Sequence, residues 1–151
     1  MKPCQATKVV NLTPPAAIID DASATVAELD TKGWNYAQLY FILGATDIAM
    51  TALAVTESDA TGSGHANVTG LVWGTSTDID GSTSVLPSAT DDNTVFRADV
   101  NMVGRKRFLD VTATCGNGSA GTYITIIAIL SEPDIAPITS AGCGCNQVCR
   151  V

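Results

Sequence analysis

Residues 34–43, WNYAQLYFIL, carry bulky side chains in both period-two sets, a pattern that fits a β-strand. One set is Trp34, Tyr36, Gln38, Tyr40 and Ile42; the other is Asn35, Ala37, Leu39, Phe41 and Leu43. Both are apolar toward the C-terminal end. The expectation is a central strand covered on both sides, with Trp34, Tyr36 and Tyr40 on a buried face.

Other runs of similar scale lie at residues 8–12, 16–19, 25–29, 50–57, 95–102, 107–114 and 122–130. Pro14-Pro15, Asp30-Thr31-Lys32-Gly33 and Cys115-Gly116-Asn117-Gly118-Ser119 punctuate them as breaks and turns. Residues 47–55 contain helix-favouring Ala and Met, but the flanking breaks leave too little length for a stable helix. Residues 58–92 are rich in Gly, Ser, Thr and Asp. They read as a long loop that is functional or holds short strands of its own, with at least one edge strand at Leu71-Val72-Trp73. The fold class expected is all-β: an antiparallel β-sandwich, jelly-roll-like, of about eight strands. Its expected parts are an N-terminal arm (1–15), the sandwich (16–132) and a Cys-rich C-terminal tail (133–151).

Composition limits what such a sandwich can bind. Only 15% of the 151 residues are charged, the net charge is −7, and nineteen residues are threonine. No basic residue occurs between Lys32 and Arg97. An acidic, low-charge, Thr-rich surface repels phosphate backbones and anionic headgroups, so neither nucleic acid nor membrane is expected as a partner. The same surface leaves few charges to desolvate under another protein. The first ten residues lack the apolar core of a secretory signal, and synthesis in the cytoplasm is expected.

Chemistry-bearing residues are sparse. His65 is the sole histidine and sits in Gly-Ser-Gly-His-Ala; an exposed loop residue is expected rather than a triad member. Asp20-Asp21 and Asp91-Asp92 are adjacent pairs whose side chains diverge in extended chain. Asp78-Ile79-Asp80-Gly81 looks like the opening of a calcium loop without its later acidic ligand. Cys143, Cys145 and Cys149, with Cys4 from the other terminus, are the candidate metal ligands, although their spacing is not a common zinc pattern. Free thiols and disulfides, which could also involve Cys115, are the rival readings. Arg105-Lys106-Arg107 is the basic cluster, expected to pair with the protein's own carboxylates or an acidic partner. No catalytic residue and no cofactor is assigned, and an enzyme is not expected.

Residues 14–59 include the turn Asp30-Thr31-Lys32-Gly33-Trp34 and the strand ending Thr56-Glu57-Ser58-Asp59. Together with LPSATDDN (86–93) and GRKRFLDVTAT (104–114), they resemble small β-sandwich virion proteins of tailed bacteriophages and prophages. The resemblance spans residues 14–132 and rests on turns and core strands, so it carries over no catalytic or binding residue. It implies a jelly-roll-like capsid decoration (cement) protein on the virion surface. Its partners would be the major capsid protein and further copies of itself, as a trimer or dimer. The tail from Gly142 onward lies outside that pattern. The alternative is a glycan-binding or host-attachment module of the virion, for which Trp73 is the aromatic residue expected to be available. A hydrolase on the same scaffold fits least.

Overall fold

The structure, a computed structural model, describes residues 6–13, 17–137 and 139–149. Its strands are β1 (Thr7–Thr13), β2 (Leu29–Asp30), β3 (Trp34–Thr46), β4 (Ala52–Ser58), β5 (Ala66–Val72), β6 (Val95–Asn101), β7 (Phe108–Thr114) and β8 (Thr122–Pro133). They form two four-stranded sheets ordered β1-β8-β3-β6 and β2-β7-β4-β5, with every pairing antiparallel. Only the β4–β5 connection stays within one sheet. All others cross between sheets, which is the eight-stranded jelly roll. The expected all-β sandwich is therefore the observed fold, and no helix occurs among the described residues.

The core forms where the inner faces meet. Ala37, Leu39, Phe41 and Leu43 of β3 are buried, as are Ile126, Ala128 and Leu130 of β8. In register, Phe41 lies beside Ile126 and Leu39 beside Ala128. Leu53 and Val55 of β4 and Leu109 and Val111 of β7 cover them from the second sheet. Burying each large apolar side chain stabilises the fold by about 1.5–3 kcal/mol. The Phe41 ring also meets Trp73 edge to face, with centroids 5.2 Å apart.

The inner set of β3 is thus the one carrying Phe41. Tyr36 and Tyr40, expected on a buried face, are half-buried on the outer side of the sheet. A sandwich strand is covered by the opposing sheet on one face only, so the hydroxyl-bearing tyrosines turn outward.

Within the expected N-terminal arm, residues 7–13 join a sheet; residues 1–5 and 14–15 lie outside the described residues. Thr7–Thr13 is β1, paired with β8 from Thr7 beside Ser131 to Thr13 beside Ile126. The tail returns to the far side of β1, where the Val9 amide donates to the Cys143 carbonyl at 3.0 Å. Residues 58–92 contain β5, an edge strand that takes in Leu71-Val72 as expected, and a second hairpin closed by the Thr77–Thr83 bridge. Residues 25–28, expected as strand, lead into the two-residue β2 without joining a ladder of their own.

Candidate functional site

The outer face of the β1-β8-β3-β6 sheet is the least usual surface of the molecule. Across its rows, Ile42 lies between Val95 and Thr125, Tyr40 between Arg97 and Ile127, and Gln38 between Asp99 and Ile129. Val9 of β1 extends the last row beyond Ile129. Val9 and Ile42 are each 37% exposed, Tyr123 45% and Val95 57%. Ile127, Ile129 and Tyr40 fill the spaces between them, half-buried. An outer sheet face in water ordinarily alternates to polar side chains. This one carries an apolar band, Val95, Ile42, Tyr40, Ile127, Ile129 and Val9, among the polar Thr125, Gln38, Asn11, Arg97 and Asp99.

The charged side chains in these rows are Arg97 and Asp99, and they neutralise each other. Arg97 Nη2 donates to Asp99 Oδ2 at 2.8 Å, while Gln38 Nε2 donates to Asp99 Oδ1 at 3.1 Å. Solvent screens such an exposed pair, so it adds little to stability. The Asp99 charge raises the pKa of Arg97, and burial followed by Asp99 pushes the Tyr36 hydroxyl up. The result is an apolar face with a self-compensated polar line, which a protein surface can cover without desolvating a net charge.

Residues singled out in the sequence fall elsewhere. His65 is half-buried rather than exposed, and its Nε2 lies 2.8 Å from Glu28 Oε2. Glu28 also accepts from Thr61 Oγ1 at 2.5 Å and from the Gly62 amide at 2.8 Å, fastening residues 61–65 to the segment before β2. These hydrogen bonds, with Thr61 first, hold the Glu28 carboxyl below its ordinary pKa. Neither nucleophile nor second acid joins His65 in these contacts.

The acidic residues serve loops. Asp78 Oδ1 accepts from the amides of Asp80 and Ser82 and so caps its own hairpin turn. Asp47 accepts from three successive amides, Ser119, Ala120 and Gly121, and they hold its pKa down, Gly121 contributing most. Asp20 and Asp21 pin the same loop through the Gly118 amide and the Asn117 side chain. Asp91 accepts from the Ser88 amide and hydroxyl, and Asp92 from the Thr46 amide. Arg107 makes a two-pronged pair with Asp30 at 2.7 and 2.6 Å, and Arg105 pairs with Glu57 at 3.4 Å. The basic cluster is therefore used within the fold, as expected.

Among the described residues, no group of three or more His, Cys, Asp or Glu side chains is placed to hold a metal. Cys143 is buried, Cys145 half-buried and Cys149 exposed. Cys4 lies outside the described residues. Cys115 is buried at the far end of β7, and burial raises its pKa. Trp73 is half-buried against Phe41 and lines a cleft of about 410 Å³ that reaches Arg97 and Asp99.

The apolar outer face was visible in outline. Residues 122–130 hold isoleucines of both parities, Ile124 and Ile126 against Ile127 and Ile129, as residues 34–43 hold aromatics of both. Two adjacent strands, each apolar on both faces, signal an outer surface that is apolar too.

No protein-family model matches the chain, and no curated protein matches it. Among solved structures it is similar to the SPBc2 prophage-derived protein YomS, with a TM-score of 0.48 and 10% identity over 83% of this chain and 93% of that one. A likeness that distant says nothing of what this chain does.

Proposed function

We propose that this chain is a non-enzymatic structural protein of a tailed-bacteriophage particle, a capsid decoration (cement) protein. It docks on the major capsid protein at the virion surface, acts as a homo-oligomer and holds the shell together through protein contacts. The observation that carries the reading is the apolar, charge-compensated outer face built from Ile42, Tyr40, Ile127 and Ile129. Exposed apolar patches of this kind mark interaction surfaces on soluble proteins. Two further features support it: the carboxylates and guanidiniums described above are engaged in structural contacts, and residues 14–132 resemble small virion β-sandwich proteins.

Co-sedimentation with the cognate shell tests this reading. The unmodified protein is expected to pellet with expanded shells. An Ile42→Asp, Ile127→Asp double variant, still folded by circular dichroism, is expected to stay in the supernatant. A variant that pellets as well as the unmodified protein would remove this face from the docking surface.

A further inference from the structure

The four sheet edges are not equivalent. β1 is flanked by the chain's own tail through the Val9–Cys143 hydrogen bond. β2 is two residues long. β5 is broken by a register shift opposite β4 between Ala54 and Thr56, and Gly70 within it adopts φ +90°. β6 differs. It is a regular seven-residue strand, paired with β3 in unbroken register from Tyr36–Asn101 to Ile42–Val95.

Hydrogen-bond parity shows which groups β6 leaves open. The Met102 amide donates to Asn35 O and the Leu43 amide to Thr94 O. In an antiparallel ladder the bonded pairs alternate, so residues 96, 98 and 100 face β3. The backbone groups of Val95, Arg97, Asp99 and Asn101 then point to the free edge. Among the described residues no backbone group outside the sheet bonds to Arg97 or Asp99. Alongside lies a cleft of about 410 Å³ bounded by Arg97 and Asp99, the Leu71–Trp73 stretch and residues 76–79 of the second hairpin.

We propose that the partner on this edge is a second copy of the chain, its β6 adding antiparallel across a two-fold axis centred on Ala98. Charge selects both the occupant and the register. Parity requires residues 97 and 99 to pair with odd-numbered residues of the other copy. A centre at residue 97 would set Arg97 against Arg97, and a centre at residue 99 would set Asp99 against Asp99. Like charges directly opposite are destabilising, whereas opposite charges stabilise a cross-strand pair. A centre at residue 98 puts Arg97 opposite the partner's Asp99 and Asp99 opposite the partner's Arg97. It also brings the two small Ala98 side chains together on the inner face, where the close pair leaves least room.

This pairing rests on the homo-oligomeric reading above and deepens it. The axis stands perpendicular to the sheet, so the apolar outer faces of both copies lie on one side. They merge into a continuous eight-stranded surface able to lie flat on a shell. One strand edge buries less than a standard interface of about 800 Å² per partner, so self-association in the micromolar range is expected.

Sedimentation equilibrium of the full chain, from about 1 to 500 µM around that expected range, tests the proposal. The unmodified protein is expected to reach dimer. Arg97→Asp and Asp99→Arg, each placing like charges opposite, are expected to weaken dimerisation by about tenfold or more. The double variant Arg97→Asp, Asp99→Arg restores opposite pairs and is expected to recover dimerisation, showing also that both positions tolerate the exchange. A protein monomeric throughout, single variants that dimerise normally, or a double variant as weak as either single one would overturn it. A dimer insensitive to these changes that still binds shells would remove the β6 assignment and leave the decoration reading in place. A charge-sensitive dimer that ignores shells would do the reverse.

Discussion

Glu28 and His65, 37 positions apart, meet at 2.8 Å between Oε2 and Nε2, and the same carboxylate takes hydrogen bonds from Thr61 and Gly62. One side chain therefore latches the β4–β5 turn onto the segment leading into β2. The turn lacks buried apolar anchors of its own: Thr61, Gly62, Ser63 and Gly64 are all exposed. Local stability in such a segment comes from its hydrogen bonds.

Replacing Glu28 with Gln keeps the shape but removes the charge that strengthens these bonds. The fold is expected to persist, because Glu28 lies outside the core. Exchange of the Gly62 amide should accelerate severalfold while exchange in β3 and β8 stays unchanged. Hydrogen exchange read by mass spectrometry checks this, and an unaltered Gly62 rate would rule out the latch.

Acid should weaken the protein in a defined window. Glu28, Asp30, Asp47 and Asp91 all have folded pKa values below their ordinary ones, through Thr61, Arg107, the Gly121 amide and the Ser88 amide respectively. A depressed folded value means that the unfolded chain takes up protons first on acidification. The stability from these contacts is complete above the ordinary carboxylate range and is lost as pH falls through the lower folded values. Melting temperature is therefore expected to fall progressively below about pH 4. Asp30→Asn should flatten that slope, as thermal melts across the range will show.

Gly121 combines φ +100° with a backbone so close to residue 19 that an added Cβ would sit 2.4 Å from Ile19 O. Its amide also donates to Asp47. Gly121→Ala is expected to destabilise by about 1–3 kcal/mol, the range for strained backbone positions. Urea denaturation measures it directly. A neutral result would mean that the 115–121 loop relaxes freely.

Phe41 is fully buried and carries the edge-to-face contact with Trp73. Phe41→Ala is expected to cost about 3–5 kcal/mol through lost burial and the cavity left behind. For a chain of this size that lowers the melting temperature by about 10 °C or more. Tryptophan emission should shift to the red as Trp73 loses its neighbour.

Strand positions were largely legible because short apolar runs separated by Gly, Pro and Asn leave no room for helices. What periodicity could not decide was which face of residues 34–43 turns inward, since both carry bulk. Packing decides it: Phe41 and Leu39 fill the core without polar atoms, whereas Tyr36 and Tyr40 keep their hydroxyls outside. β1 was partly hidden by Pro14-Pro15, which reads as a break that detaches an arm although Thr7–Thr13 pairs with a strand more than a hundred residues away. The Glu28–His65 latch and the amide cluster around Asp47 join distant segments through side chains with no local signature.

Docking to a phage shell is measured most directly by titrating the purified protein onto its cognate expanded shells and following bound protein and shell melting together. Saturable binding at a fixed number of copies per capsomer, with a rise in shell melting temperature, is the predicted result. Absence of saturable binding by a folded protein, or binding that leaves shell stability unchanged, would contradict a cementing role.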